Sequence, residues 1–146
     1  MNDYLYRPPI NHDIINSRIT PDHITKLKAN EIFVFGSNLQ GYHSGGAARQ
    51  TMDKWGAIWG HGIGIQGQTY AIPTMQGGTE TISPYVEQFI LFAQNDPEKT
   101  FLVTEIGCGI AGFKPVDIAP LFSKAVYVPN IWLPQRFWEI LQAENR

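Results

Sequence analysis

The sequence predicts an α/β fold of three layers, a largely parallel or mixed sheet flanked by helices, and three observations predict it. Apolar runs of strand length alternate with helical periodicities four times over. Turn and cap residues punctuate them. All 14 glycines lie between Gly36 and Gly112, leaving the first 35 and the last 34 residues without any. Alternation of this kind argues for a sheet covered on both faces. The chain of 146 residues is of ordinary size for one domain. It reads as a single unit over 1–146, with residues 1–20 an extended N-terminal segment packing on it.

Glu31-Ile32-Phe33-Val34-Phe35 is a short apolar run ended by a glycine, the pattern of a buried strand. Ala48, Met52 and Trp55 then recur at helical spacing. Thr69-Tyr70-Ala71-Ile72-Pro73 reads as a second strand, with Pro73 at its end because it lacks a ladder donor. Ser83 is a candidate N-cap with Pro84 at the first helical position, and Val86, Phe89, Ile90 and Ala93 share one face. That helix should stop near Asn95-Asp96-Pro97. Phe101 to Ile106 is the third strand. Pro115 opens a helix burying Val116, Ala119, Phe122 and Ala125. Asn130 to Leu133 is the fourth strand, and after Pro134 a terminal helix buries Phe137, Trp138 and Leu141.

Composition excludes several function classes. Apolar residues make up 43% and charged residues 16%, a balance for a globular chain rather than a disordered one. The net charge of −2 and the lack of any basic run beyond Lys26 with Lys28 speak against a nucleic-acid surface. No apolar stretch approaches ~20 residues, and the N-terminus lacks a signal-peptide core, so no membrane contact and a cytoplasmic location are expected. The single cysteine, Cys108, fits a reducing compartment. His12, His23, His43 and His61 lack metal-ligand spacing, so no metal and no cofactor are expected.

Ligands of parallel sheets bind outside the carboxyl ends of the strands, where backbone amides and helix N-termini face outward. The first glycine cluster follows Phe35 and the last follows Ile106, so both should meet at one sheet edge, the expected site. Gly107-Cys108-Gly109-Ile110-Ala111-Gly112 satisfies G-x-G-x-x-G after a strand, yet no acidic residue follows at the distance a dinucleotide fold requires. Gly62 to Gly67 also matches, but precedes a strand. The alternative for both is a tight turn that holds no ligand. Gly45-Gly46 is followed by alanines, so no Walker A loop exists.

Three residues are candidates for chemistry. His43 shares a loop with Asn38 and Tyr42 and reads either as a phosphate donor and water activator or as a plain loop histidine. Glu105, at the end of the third strand, is either a general base or an ion-paired carboxylate. Cys108 is a nucleophile with His43 or His61 as its base, or a small packing residue. Gln66 either contributes a donor to the site or closes a turn.

With these loops in hand, the chain resembles the macro domain superfamily over roughly residues 20 to 122. Asp22-His23-Ile24-Thr25-Lys26-Leu27 is similar to the family's opening G-D-I-T-x-L segment, with His23 an extra residue. Glu31 to Asn38 resembles its strand ending in N-A-A-N, with Phe35-Gly36-Ser37 in place of the first three residues. Gly41 to Ala48 resembles the glycine-rich loop, although Ala47-Ala48 stand where many hydrolytic members carry an acidic residue. Ile106 to Phe113 resembles the S-T-G-I-Y-G-F/Y diphosphate loop. The resemblance implies binding of ADP-ribose or a related nucleotide diphosphate derivative as the small-molecule partner, with hydrolysis of an ADP-ribosyl bond as a further step. It implies Asp22 and Ile24 at adenine, and Asn38 at the distal ribose. Gly41, Gly45, Gly46, Gly107, Cys108, Gly109, Ile110, Ala111, Gly112 and Phe113 would surround the diphosphate, Phe113 covering a ring. For that hydrolysis Asn38 would position the sugar, and His43 or Glu105 would activate water. The alternatives are a non-catalytic module that sequesters a nucleotide signal or docks a protein through Tyr4, Tyr6, Trp132 and Trp138, and a Cys108-dependent hydrolase.

Overall fold

A computed structural model describes Ile10 and residues 12–144. The elements in chain order are α1 (His12–Ser17), β1 (Ile19–Thr20), β2 (Glu31–Ser37), α2 (Gly46–Lys54), β3 (Gly64–Gln66), β4 (Thr69–Pro73), α3 (Thr79–Gln94), β5 (Thr100–Val103), α4 (Pro115–Ile118), a 3-10 helix (Ala119–Tyr127), β6 (Ile131–Pro134) and α5 (Gln135–Glu144). The strands form one sheet in the order β1-β6-β5-β2-β4-β3. Every neighbouring pair is parallel except β3 with β4. The expected α/β class with a mostly parallel mixed sheet is therefore what the chain adopts.

β2 lies at the centre and is buried on both faces, as its unbroken apolar run requires. Ile32 and Val34 face the larger core with Tyr70, Ile72, Phe101 and Val103, covered by α3, the 3-10 helix and α5. Phe33 and Phe35 face the smaller core with Trp55, Ala57 and Ala71, where Ala48 and Met52 of α2 close over them. The two periodicities read from the sequence thus land on opposite faces of one strand.

Several boundaries differ from the sequence reading. β2 continues through Gly36 to Ser37, because both remain paired with Ile72 and Pro73 of β4. α3 begins at Thr79 after an extended Gly78, with Ser83 and Pro84 inside it. Pro84 forgoes one main-chain bond, but the extra turn buries Ile82 completely. β5 stops at Val103. Thr104 donates its amide to Val34 and Ile106 bonds back to Thr104 at 2.8 Å, so the chain turns there. The helix after Pro115 becomes 3-10 at Ala119, since Pro120 has no amide to give the α ladder. Ala119, Phe122 and Ala125 are buried on it as expected, but Val116 is exposed.

Residues 12–20, read as part of an extended segment, hold a helical turn and a strand. Residues 1–9 and 11, with Tyr4 and Tyr6 among them, lie outside the described residues. Arg18 ties this segment into the domain. Its guanidinium is buried and donates to the carbonyls of Ala125, Val126, Val128 and Ile131, while the Trp138 indole donates to the Arg18 carbonyl at 2.8 Å. Burial lowers Arg18 to about 10, which leaves it charged at neutral pH.

Candidate functional site

From β2 the chain leaves through α2 toward β4, on one side. From β5 it leaves through α4 toward β6, on the other. Two adjacent parallel strands whose connections part in opposite directions leave a crevice beyond their carboxyl ends. Here that crevice is a cleft of about 380 Å³. Its walls are the loop between β2 and α2 and the loop between β5 and α4, which are the first and last glycine clusters.

Asn38, Gly45, Gly46, Glu105, Gly107, Gly109, Ile110 and Ala111 all line this cleft. The α2 wall ends in Gly45, an extended N-cap whose position no side chain caps, and the first helical bond is Arg49 N–H to the Gly45 carbonyl. The amides of Gly46, Ala47 and Ala48 consequently carry no intrahelical partner. On the opposite wall Cys108, Gly112 and Phe113 spend their amides on Glu105, Gly109 and Gly107, whereas Gly109, Ile110 and Ala111 have no main-chain acceptor for theirs among the described residues. The walls come close: a Cβ on Gly45 would meet Ile110 Cδ1 at 3.9 Å.

A second cavity of about 340 Å³ holds Asp22 and Ile24. It shares Ala47, Thr104 and Glu105 with the cleft, so the two adjoin at these residues. A third, of about 670 Å³, lies beyond Glu105 against Pro134, Gln135 and Arg136, and also includes Asp22.

Other expected site residues stand elsewhere. His43 is wholly buried behind the loop. Its Nε2 donates to the His61 carbonyl at 3.1 Å, its ring meets Phe35 edge-on, and Nδ1 has no hydrogen-bond partner among the described residues. It does not line the cleft, so it cannot reach a ligand there as the activating base. Gly41 is buried with φ +72, and a side chain there would strike His61 and Gly60, which makes it a contact between loops rather than a ligand residue. Gly62 makes the reciprocal approach to Asn38. Cys108 packs against the larger core and bonds toward the Ile106 carbonyl. Burial and then the Glu105 charge push its thiol up to about 11, which opposes the nucleophile reading. Gly112 lies outside the cleft, and Phe113 packs on the core beside Gly107, so neither covers a ligand ring.

Two of the expected site residues line the cleft with their polar groups already engaged. Asn38 accepts from the Tyr42 amide at 2.8 Å and donates to the Tyr42 carbonyl at 3.1 Å. One amide hydrogen remains for a ligand. Glu105 is held at both oxygens by Arg136, each at 2.7 Å, and so takes the ion-paired form rather than that of a free base. Gln66 closes a turn, receiving the Ile58 amide and donating to His61. Trp138 is fully buried and Trp132 partly so, which removes Trp138 as a docking side chain.

Sequence reasoning missed the residues that fix this edge. Thr104 donates to the Val34 carbonyl at 2.7 Å, Thr74 to Ser37, and Ser37 to Gly62 at 2.6 Å. Their signal was a hydroxyl residue at or just past each strand end. Arg136 and Trp59 carried none. Among the described residues no group of three His, Cys, Asp or Glu side chains is placed to hold a metal ion, and no helix is long and apolar enough to cross a membrane. Comparison with known protein families, with curated proteins and with solved structures finds no match to this chain.

Proposed function

We propose that this is a macro-like domain that binds ADP-ribose, or a related nucleotide diphosphate derivative, at the carboxyl edge of its sheet. The observation that carries the reading is the pair of facing loops with unpaired amides, Gly46 to Ala48 on one wall and Gly109 to Ala111 on the other. Amides of this kind, one set at the start of a nine-residue helix, suit an anion that no lysine or arginine of the cleft lining would hold. The adjoining cavity at Asp22 and Ile24 offers room for a nucleoside, and Asn38 keeps one donor for the second ribose.

Binding without turnover is the form best supported. His43 is sealed off from the cleft, and Glu105 is committed to Arg136. Tyr42 and Glu105 are the titratable side chains lining the cleft.

Thermal unfolding with ADP-ribose, AMP and ribose 5-phosphate tests the reading, with calorimetric titration of any ligand that shifts the midpoint. A ligand at ~100 times its dissociation constant stabilises by ~2.7 kcal/mol, a shift of several degrees at this size. ADP-ribose should shift the midpoint and AMP much less. No shift with any of them refutes the assignment. Release of free ADP-ribose from an ADP-ribosylated peptide, abolished in Glu105→Gln, would replace binding by hydrolysis.

A further inference from the structure

Resting on that reading, we infer that the ligand carries a planar aromatic base on its second ribose, as a dinucleotide such as NAD does, and that Tyr42 is the surface on which the base stacks. Tyr42 lines the cleft with Asn38, to which it is hydrogen-bonded, and neither belongs to the lining of the Asp22 cavity. Its ring lies nearly parallel to that of Trp59, with centroids 5.1 Å apart and an interplanar angle of 14°. Both residues remain more than half exposed, at 54% and 53%. Trp59 therefore backs one face of Tyr42, a ring that keeps more than half of its surface exposed.

The core has no need of this pair, for neither ring joins an apolar cluster. Yet the pair is held firmly. Asn38 fixes Tyr42 by both its amide and its carbonyl, at 2.8 and 3.1 Å. The loop of Trp59 is laced to the loop of Tyr42 through the Gly60 amide on the Gly41 carbonyl at 2.9 Å, where only a glycine at position 41 permits the approach. A stacking plate whose orientation is set before the ligand arrives loses little freedom on binding. Met75 and Ile110, both exposed, also line this cleft and would cover the edges of a planar ring. A base there becomes the third ring of the stack. ADP-ribose alone, ending in a sugar hydroxyl, leaves the plate unused.

The test is calorimetric titration of the full chain with NAD and with ADP-ribose. Stacking of one base on an aromatic side chain corresponds to roughly tenfold or more in affinity. NAD is expected to bind about tenfold tighter than ADP-ribose. Tyr42→Ala should remove that difference, and Tyr42→Phe should keep it. Trp59→Ala, which leaves the Tyr42 backbone anchors intact, should reduce it. Should Tyr42→Ala fail to fold, Trp59→Ala and Tyr42→Phe still decide. ADP-ribose binding as tightly as NAD, or a NAD advantage that survives both alanine substitutions, overturns the stacking inference and leaves the proposed function standing. Binding of neither ligand overturns both.

Discussion

Replacing Arg18 by methionine should destabilise the domain by about 4 kcal/mol, because it strips buried carbonyls of their donors. The Arg18 guanidinium makes five short contacts to four carbonyls where the 3-10 helix gives way to β6. Two of those carbonyls keep a second donor, since Val128 N–H bonds to Ala125 and Ile131 N–H to Val128, both at 3.0 Å. Val126 and Ile131 take their hydrogen bonds from the guanidinium, Ile131 through Nε at 3.0 Å and Nη2 at 2.6 Å. An unsatisfied buried carbonyl costs ~1–3 kcal/mol, so two give ~2–6 kcal/mol. Methionine refills the stem beside Trp138, so little is added for lost packing. At ~2–4 °C per kcal/mol the midpoint should fall by roughly 8–16 °C. Urea unfolding should show the loss as a lower midpoint with unchanged slope. Arg18→Lys should fall between, because an ammonium cannot address four carbonyls in one plane. If Arg18→Met stayed within about 1 kcal/mol of the parent, the reasoning that residues 12–20 are pinned to the core through this side chain would be wrong.

Two further outcomes follow from the site. Gly45→Val should leave the fold nearly intact, because Gly45 is already extended and its Cβ would meet Ile110 Cδ1 at 3.9 Å and nothing else within contact. A cap penalty of ~1 kcal/mol is expected, while ADP-ribose affinity should drop at least ~10-fold as the walls are bridged; unchanged affinity in a titration would move the ligand out from between the loops. Cys108 should resist alkylation at pH 7.5, with the rate climbing only as pH approaches about 11, where thiolate forms. Its folded value lies above the ordinary 9.0, so the unfolded chain releases that proton first. The stability it contributes is present in full below pH 9 and is lost as pH rises toward 11. Rapid modification at neutral pH would revive the nucleophile.

The elements legible in the sequence were those whose burial follows a single periodicity. β2 needed no context because it is apolar at every position from Ile32 to Phe35 and is buried on both faces. α5 showed Phe137, Trp138 and Leu141 on one face, and all three are buried. Strand ends were less legible, since a chain leaves the sheet where its partner leaves it: Gly36 and Ser37 stay in β2 because β4 continues beside them. β3 escaped notice because Gly64-Ile65-Gln66 has strand character only through its pairing with β4.

The site divides in the same way. Glycines following strands fixed where the loops would lie, because only the strand-to-helix connections of a parallel sheet reach that edge, and Asn38, Gly45, Gly46 and Gly107 meet there. Which side chains face the cleft was decided by tertiary contacts. His43 turned inward because Gly41 lets the 60–62 loop close over it, Glu105 was claimed by an arginine 31 residues away, and Tyr42 was set against Trp59. Local sequence governs where a backbone turns and which face of a strand or helix is apolar. The partner of a polar group is chosen only when distant segments pack together, because hydrogen bonding and ion pairing act at contact distance.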